Sequence, residues 1–284
     1  MRNVSGSFWA PVVYLLLGVL SIQASASLAK SLFGVLSPQG VTALRLGFAA
    51  LILLAVFRPW RRRLPLGALR PVLAYGMALG CMNLSFYMSI ARIPLGIAVA
   101  IEFTGPLAVA AFTSRSRREL LWVGLAVAGV APLLPLGAFS ADLDPVGVGF
   151  GFCAGFFWAL YMIFGKKAGM VRGTDSVALG TAVAAMIALP VGLLCEGTAL
   201  FSPAVLPSGL LVGIFSSALP YGLEMLAMTR LSTQTYGVLT SLEPAMAALS
   251  GFVFLGETLT LVQWGALACV MGASLGATLT GRRE

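Results

Sequence analysis

GVTALRLGFAALILLAVFRPWRRR, residues 40–63, is an apolar run that ends in a cluster of arginines and carries one further arginine, Arg45, inside it. Roughly 20 apolar residues rising 1.5 Å each cross about 30 Å of hydrocarbon. The run therefore reads as a transmembrane helix stopped by charge at Arg58, Arg61, Arg62 and Arg63. The rest of the chain has the same character. Of 284 residues, 59% are hydrophobic and 10% charged, and the mean hydropathy is +0.96. A soluble domain carries about 25% charged residues, and no water-soluble fold of this size hides that much apolar surface. The expectation is an all-α integral membrane protein embedded in the lipid bilayer along nearly its whole length.

Apolar runs punctuated by charge, Pro and Gly place spans near 8–29, 40–57, 70–90, 95–114, 119–137, 146–166, 174–194, 206–228, 234–254 and 260–280. The first run has one Arg before it and small residues near Ala24–Ala26, as a signal peptide would. Its length and the spans that follow at once favour a retained helix. The formal charge of +8 is a topology signal and not a nucleic-acid footprint, because the basic residues form short clusters between apolar runs. With both termini in the cytoplasm, that side receives Arg2, Arg58, Arg61, Arg62, Arg63, Arg70, Arg115, Arg117, Arg118, Lys166, Lys167, Arg172, Arg230, Arg282 and Arg283, fifteen of the eighteen Lys and Arg. Cytoplasmic loops retain such charge. Only Lys30 and Arg92 fall outside, with Asp142, Asp144, Glu196 and Glu257. Cys81, Cys153, Cys195 and Cys269 lie in or beside apolar runs without metal-ligand spacing, and histidine is absent. They read as small buried hydrophobes.

A shift of 138 residues lays Ala91-Arg92-Ile93 on Thr229-Arg230-Leu231, Pro106 on Pro244 and Glu119 on Glu257, and a shift of 136 lays Lys30 on Lys166. This divides the chain into five-helix repeats, 1–139 and 140–284. An odd number of spans per copy inverts the second in the membrane, an arrangement found in secondary transporters with the solute site near the midplane.

Charge inside a span costs about 2.5–3.5 kcal/mol on insertion scales, so Arg45, Glu102, Glu224 and Glu243 each need a reason. Glu102 and Glu243 stand close before the matched prolines Pro106 and Pro244, where a missing N–H frees a carbonyl one turn back. Glu102 and Pro106 are four apart, Tyr221 and Glu224 three apart and Asn83 and Tyr87 four apart, spacings that share a helix face. These nine residues are the expected substrate-binding or proton-coupling set. The bland alternative is that they only hold the bundle together, with Arg45 in a fixed bridge to a glutamate. Gln23, Ser25 and Ser27 add polar groups to the first span. Pro132, Pro135 and Pro190 are expected to end helices, and Glu257 to cap a helix or pair at the outer surface. A carboxyl group held away from water is cheapest when neutral, so surplus acids can couple protons to movement of a cationic or zwitterionic solute.

SLEPAMAALSGFVFLGETLT at 241–260, with its counterpart IEFTGPLAVAAFTSRSRRE at 101–119, resembles the EamA group of the drug/metabolite transporter superfamily. Residues 21–34, 40–53, 83–110 and 216–248 look similar to the branch of that group that exports threonine and homoserine. The resemblance implies an inner-membrane efflux protein for small neutral amino acids, driven by proton antiport, with no cofactor and no metal. The first copy departs from the pattern, having Arg118-Glu119 where the second has Gly256-Glu257. The rival readings are export of another metabolite or a cationic drug, a structural bundle, and a membrane-embedded enzyme. The sequence contains no HExxH and no P-loop, and Gly and Ser within its membrane runs are more often packing residues than a nucleophile elbow.

Overall fold

A computed structural model describes residues 9–61, 66–113, 117–131, 143–172, 175–228 and 239–280, and among these there is no strand. The helices are α1 (Trp9–Ser31), α2 (Pro38–Phe57), α3 (Leu66–Ile90), α4 (Leu95–Glu102), α5 (Thr104–Thr113), α6 (Arg117–Val130), α7 (Pro145–Arg172), α8 (Asp175–Glu196), α9 (Leu206–Gly213), α10 (Leu219–Met228), α11 (Glu243–Leu255) and α12 (Leu261–Thr280). A π-helical turn, Ile214–Ala218, joins α9 to α10 without a break in the chain's course. Among the described residues, six helical segments are long and apolar enough to cross a membrane, and four shorter apolar ones lie at Leu95–Val109, Leu121–Val130, Glu243–Leu255 and Leu261–Gly276. The N-terminal arginine Arg2, the loop residues Arg62, Arg63, Arg115, Pro132, Pro135, Asp142, Arg230 and the C-terminal Arg282 and Arg283 lie outside the described residues.

Local chemistry explains the helix ends. Ser37 caps α2, its hydroxyl accepting the Gly40 N–H at 3.2 Å with Pro38 in the first turn, a pairing of cap and fixed φ that favours helix initiation. Pro106 has no N–H for the Glu102 carbonyl, and the helix breaks at Phe103 for the reason that proline breaks helices generally. Glu102 thus closes α4 and Pro106 stands in the first turn of α5, with one residue of helical backbone, Phe103, between the two helices. At this break Gly155 of α7 lies against the Glu102 carbonyl, where a Cβ would come within 2.8 Å. Pro190 also departs from expectation, standing inside α8. Transmembrane helices tolerate such a proline where neighbouring groups satisfy the freed backbone.

All eight residues of α4 are buried, and this short helix is the hub of the bundle, packing on α7 and α11. Around it α3 packs on α7 and α8, α2 on α8 and α9, α1 on α10 and α11, and α6 on α12. The outer surface is apolar, with Leu51, Leu121, Leu194, Phe254 and Leu261 largely exposed, as lipid-facing positions are. Cys153 and Cys195 are exposed and Cys81 and Cys269 half-buried. That corrects their reading as buried residues, since a thiol facing acyl chains loses nothing by it.

One end of the bundle is tied by charge. Glu257, just after α11, receives the Lys30 ammonium of α1 at 2.6 Å on one oxygen and the Leu95 N–H of α4 at 2.9 Å on the other. Lys30 also donates to the Ile93 carbonyl at 2.8 Å. A carboxylate at a helix N-terminus meets both free N–H groups and the positive end of the dipole. Beside it Arg92 approaches Asp144 at 3.5 Å while Asp144 caps α7 through the Val146 N–H, and Glu196 accepts the Ser37 N–H at 2.5 Å.

The Lys30 and Glu257 side chains are 20% and 14% exposed, against 34% and 38% for Arg92 and Asp144. Glu257→Gln is expected to lower the unfolding free energy in mixed micelles by about 1.5–3 kcal/mol. Asp144→Asn, which keeps a capping side chain at a wetter pair, is expected to cost below about 1 kcal/mol. Equal losses would contradict the clamp assigned to Glu257.

Candidate functional site

Arg45 is 4% exposed, about two turns into α2. Its Nη1 donates to the Ser216 hydroxyl and approaches the Ser216 carbonyl at 3.5 Å. The guanidinium lies 4.9 Å from the centroid of the Tyr87 ring, a distance at which the negative face of the ring attracts a cation. The Tyr87 hydroxyl is 3.5 Å from the same Ser216 oxygen. Tyr87 is fully buried and held edge-on by Phe33 and Phe86. Arg45 Nε has no hydrogen-bond partner, and the ion pairs Lys30–Glu257 and Arg92–Asp144 both leave Arg45 out. The fixed bridge from Arg45 to a glutamate is thus not made. Neutral oxygens and a π face hold this charge instead.

Two backbone features bring these groups together. Gly213 ends α9 against α2, where a Cβ would meet Phe48 Cβ at 2.8 Å and the Arg45 carbonyl at 3.1 Å. Only a glycine lets the two backbones approach so closely. The π-helical turn then follows, and such turns recur at functional sites because they leave carbonyls free of the regular ladder. Here the Phe215 carbonyl takes the Ser21 hydroxyl of α1 at 2.5 Å, and the Ser216 carbonyl faces Arg45.

The other expected residues gather below this group. Tyr221, one turn past Ser217 on α10, has Asn83 and Ser217 beside its hydroxyl and lies within the fields of Arg45 and Glu224. Asn83 is buried on α3, one turn before Tyr87, its amide donating to the Leu79 carbonyl at 2.8 Å. Glu102 is buried and feels the charge of Arg45 without bonding it. Glu243, at the start of α11, lies within electrostatic range of both Glu224 and Glu102. Glu224 packs against α1, its Cγ 3.6 Å from where a Gly18 side chain would begin. Pro106 and Pro244 bring no polar group. They sit in the first turns of α5 and α11 and shape the backbone beside Glu102 and Glu243.

Several participants lack any signal in the spacing of charges. Ser216 and Ser217 are ordinary residues of an apolar run, and only the adjoining Pro220 hints at irregular backbone there. Tyr75 and Tyr161, with rings 5.0 Å apart, extend the polar group from Tyr221 and Glu224 along α3 and α7. Buried Gln23 leaves its Oε1 unpartnered. A separate recess of about 180 Å³ between the start of α11 and α12 is lined by Ser241, Leu242, Met271, Gly272 and Leu275, and its apolar wall offers nothing to a zwitterion. Among the described residues no cluster of His, Cys, Asp and Glu is arranged to hold a metal.

Comparison with known proteins adds to this geometry. The model of the EamA-like transporter family matches residues 145–279. The threonine/homoserine exporter RhtA of Escherichia coli strain K12 is 52% identical over 276 residues, covering 97% of this chain and 94% of its own, and RhtA of Salmonella typhimurium strain LT2 matches to the same extent. The uncharacterized inner membrane transporter YedA of E. coli strain K12 is 27% identical over 196 residues, 66% of this chain and 63% of its own. A solved structure described only as "Crystal structure of protein" shares the fold, with a TM-score of 0.61 and 21% identity over 96% of this chain and 98% of that one.

The geometry around Arg45 sets an expectation for stability. Ser216→Ala removes the acceptor of a charged donor and is expected to cost about 1.5–3 kcal/mol. Tyr87→Phe keeps the ring beneath the guanidinium and is expected to cost about 1 kcal/mol or less. Thermal unfolding of both variants checks this, and a Ser216→Ala protein as stable as the parent would contradict the assigned hydrogen bond.

Proposed function

Because the chain belongs to the EamA-like transporter family, and is a multi-pass membrane transporter and not an enzyme, we propose that it exports small neutral amino acids of the threonine and homoserine type across the bacterial inner membrane. The relatives named threonine/homoserine exporters support this substrate class through 52% identity over nearly the whole chain. The observation that carries it on physical grounds is Arg45, a buried guanidinium with a free Nε and no carboxylate bonded to it. A fork of N–H donors matches a carboxylate. Glu102, Glu224 and Glu243 suit the ammonium group, and Asn83, Tyr87 and Tyr221 line the space between. A permanently cationic drug gains from the glutamates but meets repulsion at Arg45, so a zwitterion fits better.

Export is coupled to proton antiport in this reading. Glu243 within range of both Glu224 and Glu102, against one guanidinium, leaves a surplus of negative charge in a low-dielectric site, costly unless neutralised. A bound proton and a substrate ammonium relieve the same surplus, so each competes with the other. That competition is what an antiporter requires.

The architecture proposed is ten spans in two inverted five-helix repeats, 1–139 and 140–284, with both termini cytoplasmic. Six long apolar segments and four shorter ones among the described residues are consistent with that number. The packing supports the repeat as well: exchanging the halves carries α3 on α7 into α9–α10 on α1, and returns α2 on α8, α4 on α11 and α6 on α12 to themselves. Lys30, Arg92, Asp144, Glu196 and Glu257 then lie together at the outer end, and their bonds hold that end shut. The solute would leave when the Lys30–Glu257 tie opens.

Cells overexpressing the protein are expected to expel labelled threonine and homoserine faster than control cells, with no change for lysine. Glu102→Gln and Glu243→Gln are each expected to slow efflux at least about tenfold, on the scale of one lost charged contact, and to flatten its dependence on external pH. Unchanged threonine and homoserine efflux on overexpression overturns the substrate class. Unaltered rate and pH dependence in both variants overturns the coupling.

A further inference from the structure

Most described hydroxyls buried in this bundle have found a partner. Ser25, Ser27, Thr42 and Thr181 each donate to the carbonyl four residues back in their own helix, the usual outlet for a hydroxyl in a transmembrane helix. Ser21 bonds the Phe215 carbonyl, Ser89 the Gly147 carbonyl, and Ser216 accepts from Arg45. Ser217 differs. It is completely buried, at 0% exposure, and no hydrogen bond of regular geometry reaches its Oγ, although the Tyr221 hydroxyl lies beside it. It lies in the π-helical turn, whose wider register does not offer it the carbonyl four residues back.

An unsatisfied buried hydroxyl is costly, and native proteins carry few of them. Its place gives it a use. Ser217 immediately follows Ser216, the partner of Arg45, and faces Tyr221 one turn on, beside Asn83. The second unpartnered polar atom of the same neighbourhood is Arg45 Nε, also more than nine-tenths buried. One atom is a charged donor suited to a carboxylate, and the other is a neutral group that both donates and accepts.

We propose that Ser217 hydrogen-bonds the side-chain hydroxyl of the exported amino acid while Arg45 holds its carboxylate, so that Ser217 sets the preference for hydroxylated over plain aliphatic substrates. This assignment rests on the amino-acid export reading and deepens it. A site built around a substrate hydroxyl rejects the analogue without it, because the site's own polar group is then left unpaired. The discriminating solute is 2-aminobutyrate, which is both threonine and homoserine with the hydroxyl replaced by hydrogen.

The test is counterflow in proteoliposomes of the parent protein, Ser217→Ala and Ser217→Thr, with threonine, homoserine and 2-aminobutyrate as competing solutes. The parent is expected to favour the two hydroxylated solutes by about tenfold or more. Ser217→Ala is expected to bring the ratio within about twofold, and Ser217→Thr, which keeps a hydroxyl, to retain most of it. Because no hydrogen bond of regular geometry is lost, Ser217→Ala is also expected to melt, without substrate, at or above the temperature of the parent. A parent that exchanges threonine, with a ratio unchanged in Ser217→Ala, overturns this assignment alone, and so does a lower melting temperature of that variant. A parent that exchanges neither threonine nor homoserine overturns the export reading and this one with it.

Discussion

A guanidinium in the middle of a membrane protein has to be held by something, and here it is held by a serine and the face of a tyrosine. Arg45 donates to Ser216 and lies over Tyr87 with no carboxylate bonded to it. Hydrogen bonds and a π face offset part of the desolvation cost without cancelling the charge. The positive charge therefore stays available to an anionic group that comes and goes. A glutamate bonded in that place would neutralise it and leave only a structural strut.

Much of the surrounding fold serves that arrangement. Gly213 lets α9 approach α2, the π-helical turn directs Ser216 at Arg45, and Ser21 of α1 secures the turn through the Phe215 carbonyl. On the far side, the Pro106 break and the close approach of Gly155 fix the end of α4, where Glu102 stands. The same α4 begins at Leu95 on the Glu257 carboxylate. A single eight-residue helix thus runs from the ion-paired end of the bundle to the acid nearest in charge to Arg45. Movement at either end is felt at the other, because the helix between them is fully buried and has no room to deform.

The apolar runs and their arginine boundaries were readable because a bilayer imposes length and composition on any helix that crosses it. The break beside Glu102 was readable from Pro106 for an equally local reason, the missing N–H. Arg45, Glu102, Glu224 and Glu243 stood out because charge in such runs is rare. Their partners did not, since Ser216 and Ser217 look like any small residues of a packed transmembrane helix and the π register that makes them useful depends on α1 and α2 packing against it. Pro190 misled because a proline in water usually ends a helix, whereas in α8 its neighbours absorb it. The cysteines misled because exposure in lipid carries no penalty for an apolar thiol.

The central claim is that Arg45 is kept unpaired for a carboxylate. Isothermal titration of the purified protein with threonine and with threoninol, which replaces only the carboxylate by a hydroxymethyl group, tests it most directly. The account predicts that threoninol binds at least about 100-fold more weakly, the scale of a charge-assisted hydrogen-bonded pair. It also predicts that Arg45→Lys, which keeps the charge but loses the fork, removes most of that difference. Equal affinities of the two ligands for the parent protein would contradict it.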